Sequence, residues 1–214
     1  MKPTNLLIAV PTMGSVHPIL VSRLIQWGKG LPDVNVSFYF TFKVAPVDRA
    51  RNQIVEYFLA AKTGDGEPFS HLLMIDSDTI PPFDAVERLL SHRLPVVTGL
   101  TPILSYNEKG GWESYDNAFV EVERDANGKV IKTHIAERGT GLKEVFRCGA
   151  SCLLVNRGVF ESIDKPYFKF VPNEDNTSHV RSEDIDFCDR VRDAGFEIYA
   201  DTDVVCQHYK DIML

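Results

Sequence analysis

Two carboxylates one residue apart, Asp76 and Asp78, follow directly on the apolar run Leu72-Leu73-Met74-Ile75. That run has the length and composition of a buried strand. Pro81-Pro82 behind it suits the first turn of a helix. In open α/β sheets, ligands bind beyond the carboxyl ends of the strands. Two hard oxygen ligands at such an end suit Mg²⁺ or Mn²⁺. The same residues also read as a polar turn, where Asp and Ser are common. A second acidic group, Glu183, Asp184 and Asp186, opens a helical pattern behind Ser182. The helix dipole stabilises acids in a first turn by about 0.3–1 kcal/mol each. Three of them exceed what capping needs. A carboxylate fixed there has the chemistry of a general base toward a hydroxyl.

Two further groups carry usable chemistry. His208 is flanked by Gln207, Tyr209 and Lys210. A histidine at a strand end is commonly structural; converging on Asp78, it would suit an Mn²⁺-type site. Lys210 has the charge to face a phosphate. Arg49, Arg51 and Asn52 fall at a helix start, where cationic and amide donors suit an anionic or nucleotide ligand.

Positioning these groups takes a series of elements. Leu6 to Val10 reads as a buried strand ending at Pro11 and Thr12. A helix follows with Pro18 near its start and Ile19, Leu20, Leu24 and Ile25 at helical spacing. Val36, Phe38, Phe40 and Phe42 alternate with polar residues, as in a strand with one face buried. Asp48 can cap a helix striped by Ile54, Val55, Phe58 and Leu59. After the Asp76 strand come a helix with Ala85, Val86, Leu89 and Leu90, then a strand over Leu94 to Val97. Alternating strands and helices imply a mainly parallel sheet with helices on both faces.

The second half reads differently. Gly99 to Asn117 looks like a long loop. Phe119 to Glu123 and Lys129 to His134 flank Asn127-Gly128, a strong hairpin signal. Ser151 to Val155 is a strand and Arg157 to Ile163 a short helix. Pro172 to Arg181 is polar and reads as a mobile loop. The Ser182 helix ends at Gly195, and strands over Phe196 to Ala200 and Val204 to His208 finish the pattern.

The 214 residues are 44% hydrophobic and 25% charged, which is ordinary globular composition and suits one domain, residues 1–214. No run approaches the ~20 apolar residues of a membrane span. Four cysteines without a Cys-x-x-Cys pair predict reduced, buried thiols and a cytoplasmic location. A net charge of −7 argues against non-specific nucleic-acid binding.

The ordered set of motifs resembles the GT-A-fold glycosyltransferases, in particular glycosyltransferase family 2 and its relatives. The first strand with Pro11-Thr12 resembles their nucleotide-binding turn. Arg49-Ala50-Arg51-Asn52 resembles an Ala-Arg-Asn helix of a subset. Leu73 to Asp78 resembles the strand with its Asp-x-Asp motif. Gly149-Ala150-Ser151 resembles the small-residue turn lining the sugar pocket. Glu183-Asp184-Ile185-Asp186-Phe187 resembles the acceptor-side helix. Asp201 and His208 match the closing strands.

The resemblance implies an α/β single-domain fold: a Rossmann-like half over about 1–98 and an acceptor half with a β-hairpin over about 99–214. It implies transfer of a sugar from a nucleotide diphosphate sugar, UDP- or GDP-linked, to an acceptor hydroxyl. Mn²⁺ or Mg²⁺ would be held by Asp76, Asp78 and His208. The donor would be contacted by Pro11, Thr12, Arg49, Arg51, Asn52, Asp76, Ser77, Gly149, Ala150 and Lys210. Asp184 would be the general base, with Glu183 and Asp186 beside it, and the reaction inverting.

The chain departs from the family in lacking a Gln-x-x-Arg-Trp motif, which disfavours a processive synthase. It also stops soon after His208, so the acceptor site is expected from the Gly99–Asn117 loop, the hairpin or a homo-oligomer partner. The acceptor is open: a glycan, a protein, a small molecule or, less in keeping with the charge, a modified DNA base. Two competing readings are a haloacid-dehalogenase-type phosphatase with Asp76 as nucleophile and a non-catalytic nucleotide-sugar-binding module. The phosphatase pattern wants a Thr or Val two residues after the second Asp, where Ile80 stands, and Thr79 comes one residue early.

Overall fold

A computed structural model describes residues 3–106, 110–126, 130–175 and 177–209. The first half alternates as expected: β1 (Thr4–Val10), α1 (Pro18–Gly28), β2 (Val34–Phe40), α2 (Val47–Ala60) and β3 (His71–Ile75). The short β4 (Thr79–Ile80), α3 (Ala85–Ser91) and β5 (Val96–Leu100) follow. The second half is richer in strands. It holds β6 (Pro102–Tyr106), β7 (Trp112–Asp116), β8 (Ala118–Arg124), β9 (Val130–Ile135), β10 (Leu142–Val145), β11 (Arg147–Cys148) and β12 (Cys152–Asn156). Then come α4 (Arg157–Ser162), β13 (Val171–Pro172), β14 (His179–Arg181), α5 (Glu183–Asp193), β15 (Ile198–Val205) and β16 (Gln207–His208).

Seven strands form the central sheet in the order β10-β15-β5-β12-β3-β1-β2. β1 pairs parallel with β2 and β3, and β15 pairs parallel with β5. β12 runs antiparallel to both β3 and β5, and β10 antiparallel to β15. The sheet is therefore mixed, with five of its strands pointing one way. Successive side chains in a strand point to opposite faces, so each strand feeds two cores. Leu7, Ala9, Leu72 and Met74 pack under α2, α4 and α5, against Ile54, Phe58, Phe160 and Phe187. Leu6, Ile8, Val10, Leu73 and Ile75 pack under α1 and α3, against Leu20, Leu24, Trp27, Val86 and Leu89.

Several sequence expectations are corrected. The buried stripe of α1 is Leu20, Leu24 and Trp27, spaced i, i+4, i+7; Ile19 and Ile25 face solvent. β2 is the sheet edge, so Phe40 and Phe42 at its end are exposed rather than buried. The N-cap of α2 is Pro46, and Asp48 lies inside the first turn, accepting from the Arg49 amide. Residues 99–117, read as a loop, contain the β6–β7 hairpin. Residues 172–181, read as mobile, contain the small β13–β14 pairing. β8 and β9 do form an antiparallel pair; residues 127–129 at the turn lie outside the described residues. The four cysteines are free and buried.

Candidate functional site

The parallel strands β1, β2 and β3 end together, and the loops beyond them meet. The turn after β1 is closed by Thr12. Its hydroxyl donates to the Ser15 carbonyl at 2.7 Å and accepts from the Gly14 amide at 3.0 Å. The Thr12 amide donates to the Thr41 hydroxyl beyond β2. Beside this turn lies a cavity of about 370 Å³ lined by Pro11, Thr12, Met13, Val44, Val47 and Ser77, among others. A second cavity, about 410 Å³, adjoins it through shared Ser15 and Ser77; His17, Asp78 and Tyr209 line that one. The His17 amide donates to the Ser77 carbonyl at 2.9 Å, fixing the two loops together.

β16 pairs antiparallel with β4, setting His208 opposite Thr79 and bringing residues 207–209 to the Asp78 loop. The Tyr209 amide donates to the Asp78 carbonyl, and the Tyr209 ring stacks on His17 with centroids 4.0 Å apart. His208 Nδ1 lies 2.7 Å from the Pro102 carbonyl. A carbonyl only accepts, so Nδ1 carries the proton. In the neutral ring Nε2 then presents its lone pair, 3.3 Å from Asp78 Oδ2. Two acceptors facing each other are reconciled by a proton or a cation between them. A carbonyl on the far nitrogen is also the usual support of a metal-binding imidazole. The donor set of Asp78 and His208 thus fits a divalent cation.

Asp76 is committed differently. Both its oxygens accept from Arg51 Nη2, at 2.9 and 3.1 Å. Arg51 Nη1 donates to Glu183 Oε1. Arg51 is buried, its guanidinium 5.9 Å from the Phe168 ring centre. Burial pulls its pKa down, but the charges of Asp76, Glu183 and Asp184 outweigh that and raise it. Burial raises the Glu183 carboxyl, against the opposing charge of Arg51. Among the described residues no three His, Cys, Asp or Glu side chains converge to hold an ion. The expected trio of Asp76, Asp78 and His208 is therefore a pair plus an aspartate turned to Arg51.

Asp184 Oδ1 accepts from the Ser182 hydroxyl and from the Ile185 amide at 2.8 Å. Both bonds use the same oxygen, Oδ1. Asp186 is buried and lies 3.6 Å from Arg181; among the described residues its Oδ2 has no hydrogen-bond partner. Gly149 and Ala150 lie next to Ser151, whose carbonyl accepts from the Asp76 amide. A Cβ on Gly149 would sit 2.6 Å from Asn117 Nδ2.

Other expected donor residues are placed elsewhere. Asn52 clamps the backbone: its amide donates to the Asp48 and Phe168 carbonyls and its oxygen accepts from the Tyr167 and Phe168 amides. Arg49 lines a different hollow of about 510 Å³, with Gln53, Glu56 and Lys165. Lys210 lies outside the described residues. Sequence reasoning missed His17, Tyr209 and the Val44–Val47 segment. Tyr209 could have been found beside His208; nothing in their spacing marked the others.

No protein-family model matches the chain, and no curated protein sequence matches it. Solved structures do. The chain is similar to A197 from STIV at 20% identity and a TM-score of 0.62, over 97% of this chain and 87% of that one. It is also similar to GalNAc-T7, solved with UDP, GalNAc and Mn²⁺, at 9% identity and a TM-score of 0.51. There 99% of this chain covers 44% of the other, so the chain spans less than half of that protein's length. At these identities the likeness shows the fold. It is an α/β fold of the GT-A type, with a Rossmann-like half.

Proposed function

We propose that the chain is a glycosyltransferase that moves a sugar from a nucleotide diphosphate sugar, UDP- or GDP-linked, to an acceptor hydroxyl. The observation that carries this is the pair Asp78 Oδ2 and His208 Nε2, 3.3 Å apart, with Asp78 lining one of two cavities that adjoin at Ser15 and Ser77. The largely apolar cavity at Pro11 and Thr12 suits a nucleobase, and Ser77 stands where the two cavities meet. Asp78 and His208 would hold Mn²⁺ or Mg²⁺, which supplies Lewis-acid stabilisation of the leaving diphosphate. Mg²⁺ and its relatives commonly take one or two protein ligands and complete their shell with substrate phosphates and water. Two protein ligands therefore suffice. Asp76, held by Arg51, would fix the strand end beside the ribose.

On the acceptor side, the Asp184 carboxylate takes the proton of the acceptor hydroxyl. The freed oxygen attacks the anomeric carbon, and the bond from that carbon to the diphosphate oxygen breaks, with inversion. Glu183, neutralised by Arg51, holds the start of α5 in register with β3. Residues 1–214 act as one domain, with donor and acceptor halves dividing near residue 98. The phosphatase reading loses support because both oxygens of its nucleophile, Asp76, accept from Arg51. The test is nucleotide release and transfer across a panel of nucleotide sugars with Mn²⁺ or Mg²⁺. Absence of both release and metal-dependent nucleoside diphosphate binding overturns the proposal.

A further inference from the structure

The β6–β7 hairpin is rooted in the site by both legs. The Pro102 carbonyl, at the start of β6, holds His208. Asn117, just past β7, accepts from the Thr101 amide and donates to the Ser151 hydroxyl, while its carbonyl accepts from the Gly149 amide. At the far end of the hairpin Tyr106 is paired with Trp112. The two rings lie edge to face with centroids 5.2 Å apart. They are 61% and 65% exposed. Alternation along the strands puts Leu104 and Ser114, themselves paired, on the same face, between the rings and the root.

The exposed area of the two rings sets the size of what they can hold. A large aromatic side chain buries about 150–250 Å², so two rings exposed to this degree offer roughly 200–300 Å². A stable protein interface takes about 800 Å² from each partner. The patch is too small for a second copy of the chain but large enough for one or two sugar rings. Aromatic faces are electron-rich, and the C–H face of a pyranose is their complement. Ser114 adds a hydroxyl beside the rings.

The geometry points to Tyr106 and Trp112 as a saccharide-binding platform, which makes the acceptor of the proposed transfer a glycan rather than a sugar-free protein or small molecule. This inference rests on the transferase reading for its acceptor role; saccharide binding itself does not. Once a sugar stacks there, the hairpin leads the rest of the glycan toward His208 and the Gly149 turn. The platform is a binding feature and takes no part in bond making.

The experiment titrates the full chain with pyranose mono- and disaccharides of neutral, amino and acidic type, without donor. Intrinsic fluorescence and its quenching by acrylamide are read. The chain has two tryptophans, and Trp27 is buried, so quenching reports Trp112. At least one saccharide type is expected to cut quenching about twofold, and Tyr106→Ala, which keeps the reporting tryptophan, to abolish the effect. In transfer assays Trp112→Ala raises acceptor KM about tenfold or more, about 1.4 kcal/mol. Trp112→Tyr, which keeps a ring, recovers most of it. Absence of protection by every saccharide overturns the platform. Protection by a sugar-free peptide, or by self-association at rising protein concentration, overturns it equally. Nucleotide-sugar hydrolysis by the wild-type chain is measured alongside. Protection without hydrolysis removes the transferase reading and keeps the saccharide site; hydrolysis without protection does the reverse.

Discussion

The guanidinium of Arg51 donates to the carboxylate of Glu183, a residue 132 positions further along the chain. Its other amino group donates to both oxygens of Asp76. One buried cation therefore joins the end of β3 to the start of α5. These are the two acidic stretches that the sequence offers as donor and acceptor sides. A buried charge is tolerable only when paired and hydrogen-bonded. Here both terminal amino groups of Arg51 are paired with carboxylates, while its buried Nε has no hydrogen-bond partner among the described residues; the strand end and helix start are fixed relative to one another.

Removing that cation leaves two carboxylates facing each other in a partly dry site. Arg51→Met should lower stability by about 3–5 kcal/mol, the range for breaking a buried ion pair from one side. Arg51→Lys should recover part of this, since a point charge cannot bridge two carboxylates as a planar fork does. Urea unfolding of the three proteins measures it. Equal stability of Arg51→Met and wild type would contradict the strut role.

Asp78 and His208 should matter to the ligand and little to the fold. Asp78→Asn and His208→Ala are each expected to weaken Mn²⁺-dependent nucleoside diphosphate binding by about 10–100-fold. Titration calorimetry with and without Mn²⁺ measures this. Asp76→Asn should instead show itself mainly in stability, because that side chain is spent on Arg51. A binding loss as large for Asp76→Asn as for Asp78→Asn, at unchanged stability, would return Asp76 to the metal.

What the sequence showed and hid follows from the range of each interaction. β1 and β3 were plain because strands buried on both faces read as continuous apolar runs. The acidic ends were plain for the same reason: Asp76 and Glu183 interrupt the pattern. The β6–β7 hairpin was hidden because its strands mix rings, serines and two acids, with no continuous buried face to impose alternation. Arg51 reads from its charge as a ligand contact. Its partners lie 25 and 132 residues away, and no local pattern reports such a pairing. The partners of Asn52 at Tyr167 and Phe168 likewise come from a distant loop.

Asp184→Asn should separate binding from transfer. Loss of a general base costs about 10²–10⁴-fold in rate. The amide keeps an oxygen for the Ser182 hydroxyl and the Ile185 amide, so the helix start is retained. Donor binding should therefore survive while transfer collapses. Steady-state transfer and a donor-binding titration on the same preparation measure it; unchanged turnover removes Asp184 from the role.

Asp201 gives a stability test away from the site. Burial would raise its pKa, but hydrogen bonds from Arg88, His92 and the Asp203 amide outweigh that and depress it below 3.8. A depressed carboxyl contributes stability above its unfolded value and loses it as pH falls through the folded value. Asp201→Asn should thus cost about 1.5–3 kcal/mol near neutrality, the range for hydrogen bonds to charged groups. The gap from wild type should narrow below about pH 4, where the unfolded carboxyl begins to bind its proton. Chemical unfolding at several pH values reads it directly; a gap that widens with acid would contradict the sign.

Gly149 tests whether the turn beside Asp76 is set by packing. Its missing Cβ leaves room for Asn117, whose Nδ2 would lie 2.6 Å from an added methyl, with two further side-chain atoms within 3.3 Å. Asn117 cannot simply swing away. It satisfies the buried Thr101 amide at 2.9 Å and donates to Ser151 at 3.1 Å. Gly149→Ala must therefore push the turn outward or strip those bonds, at about 1–3 kcal/mol for overpacking. Either movement reaches the site, because the Ser151 carbonyl holds the Asp76 amide. Donor affinity and stability should fall together. Asn117→Gly in the same chain removes the clash but frees the Thr101 amide, so it should restore little. Asn117→Ser, shorter yet still hydrogen-bonding, should restore more of both. Thermal unfolding and nucleotide titration of the single and double variants decide it: full activity in Gly149→Ala would show that the glycine is not held by Asn117 at all.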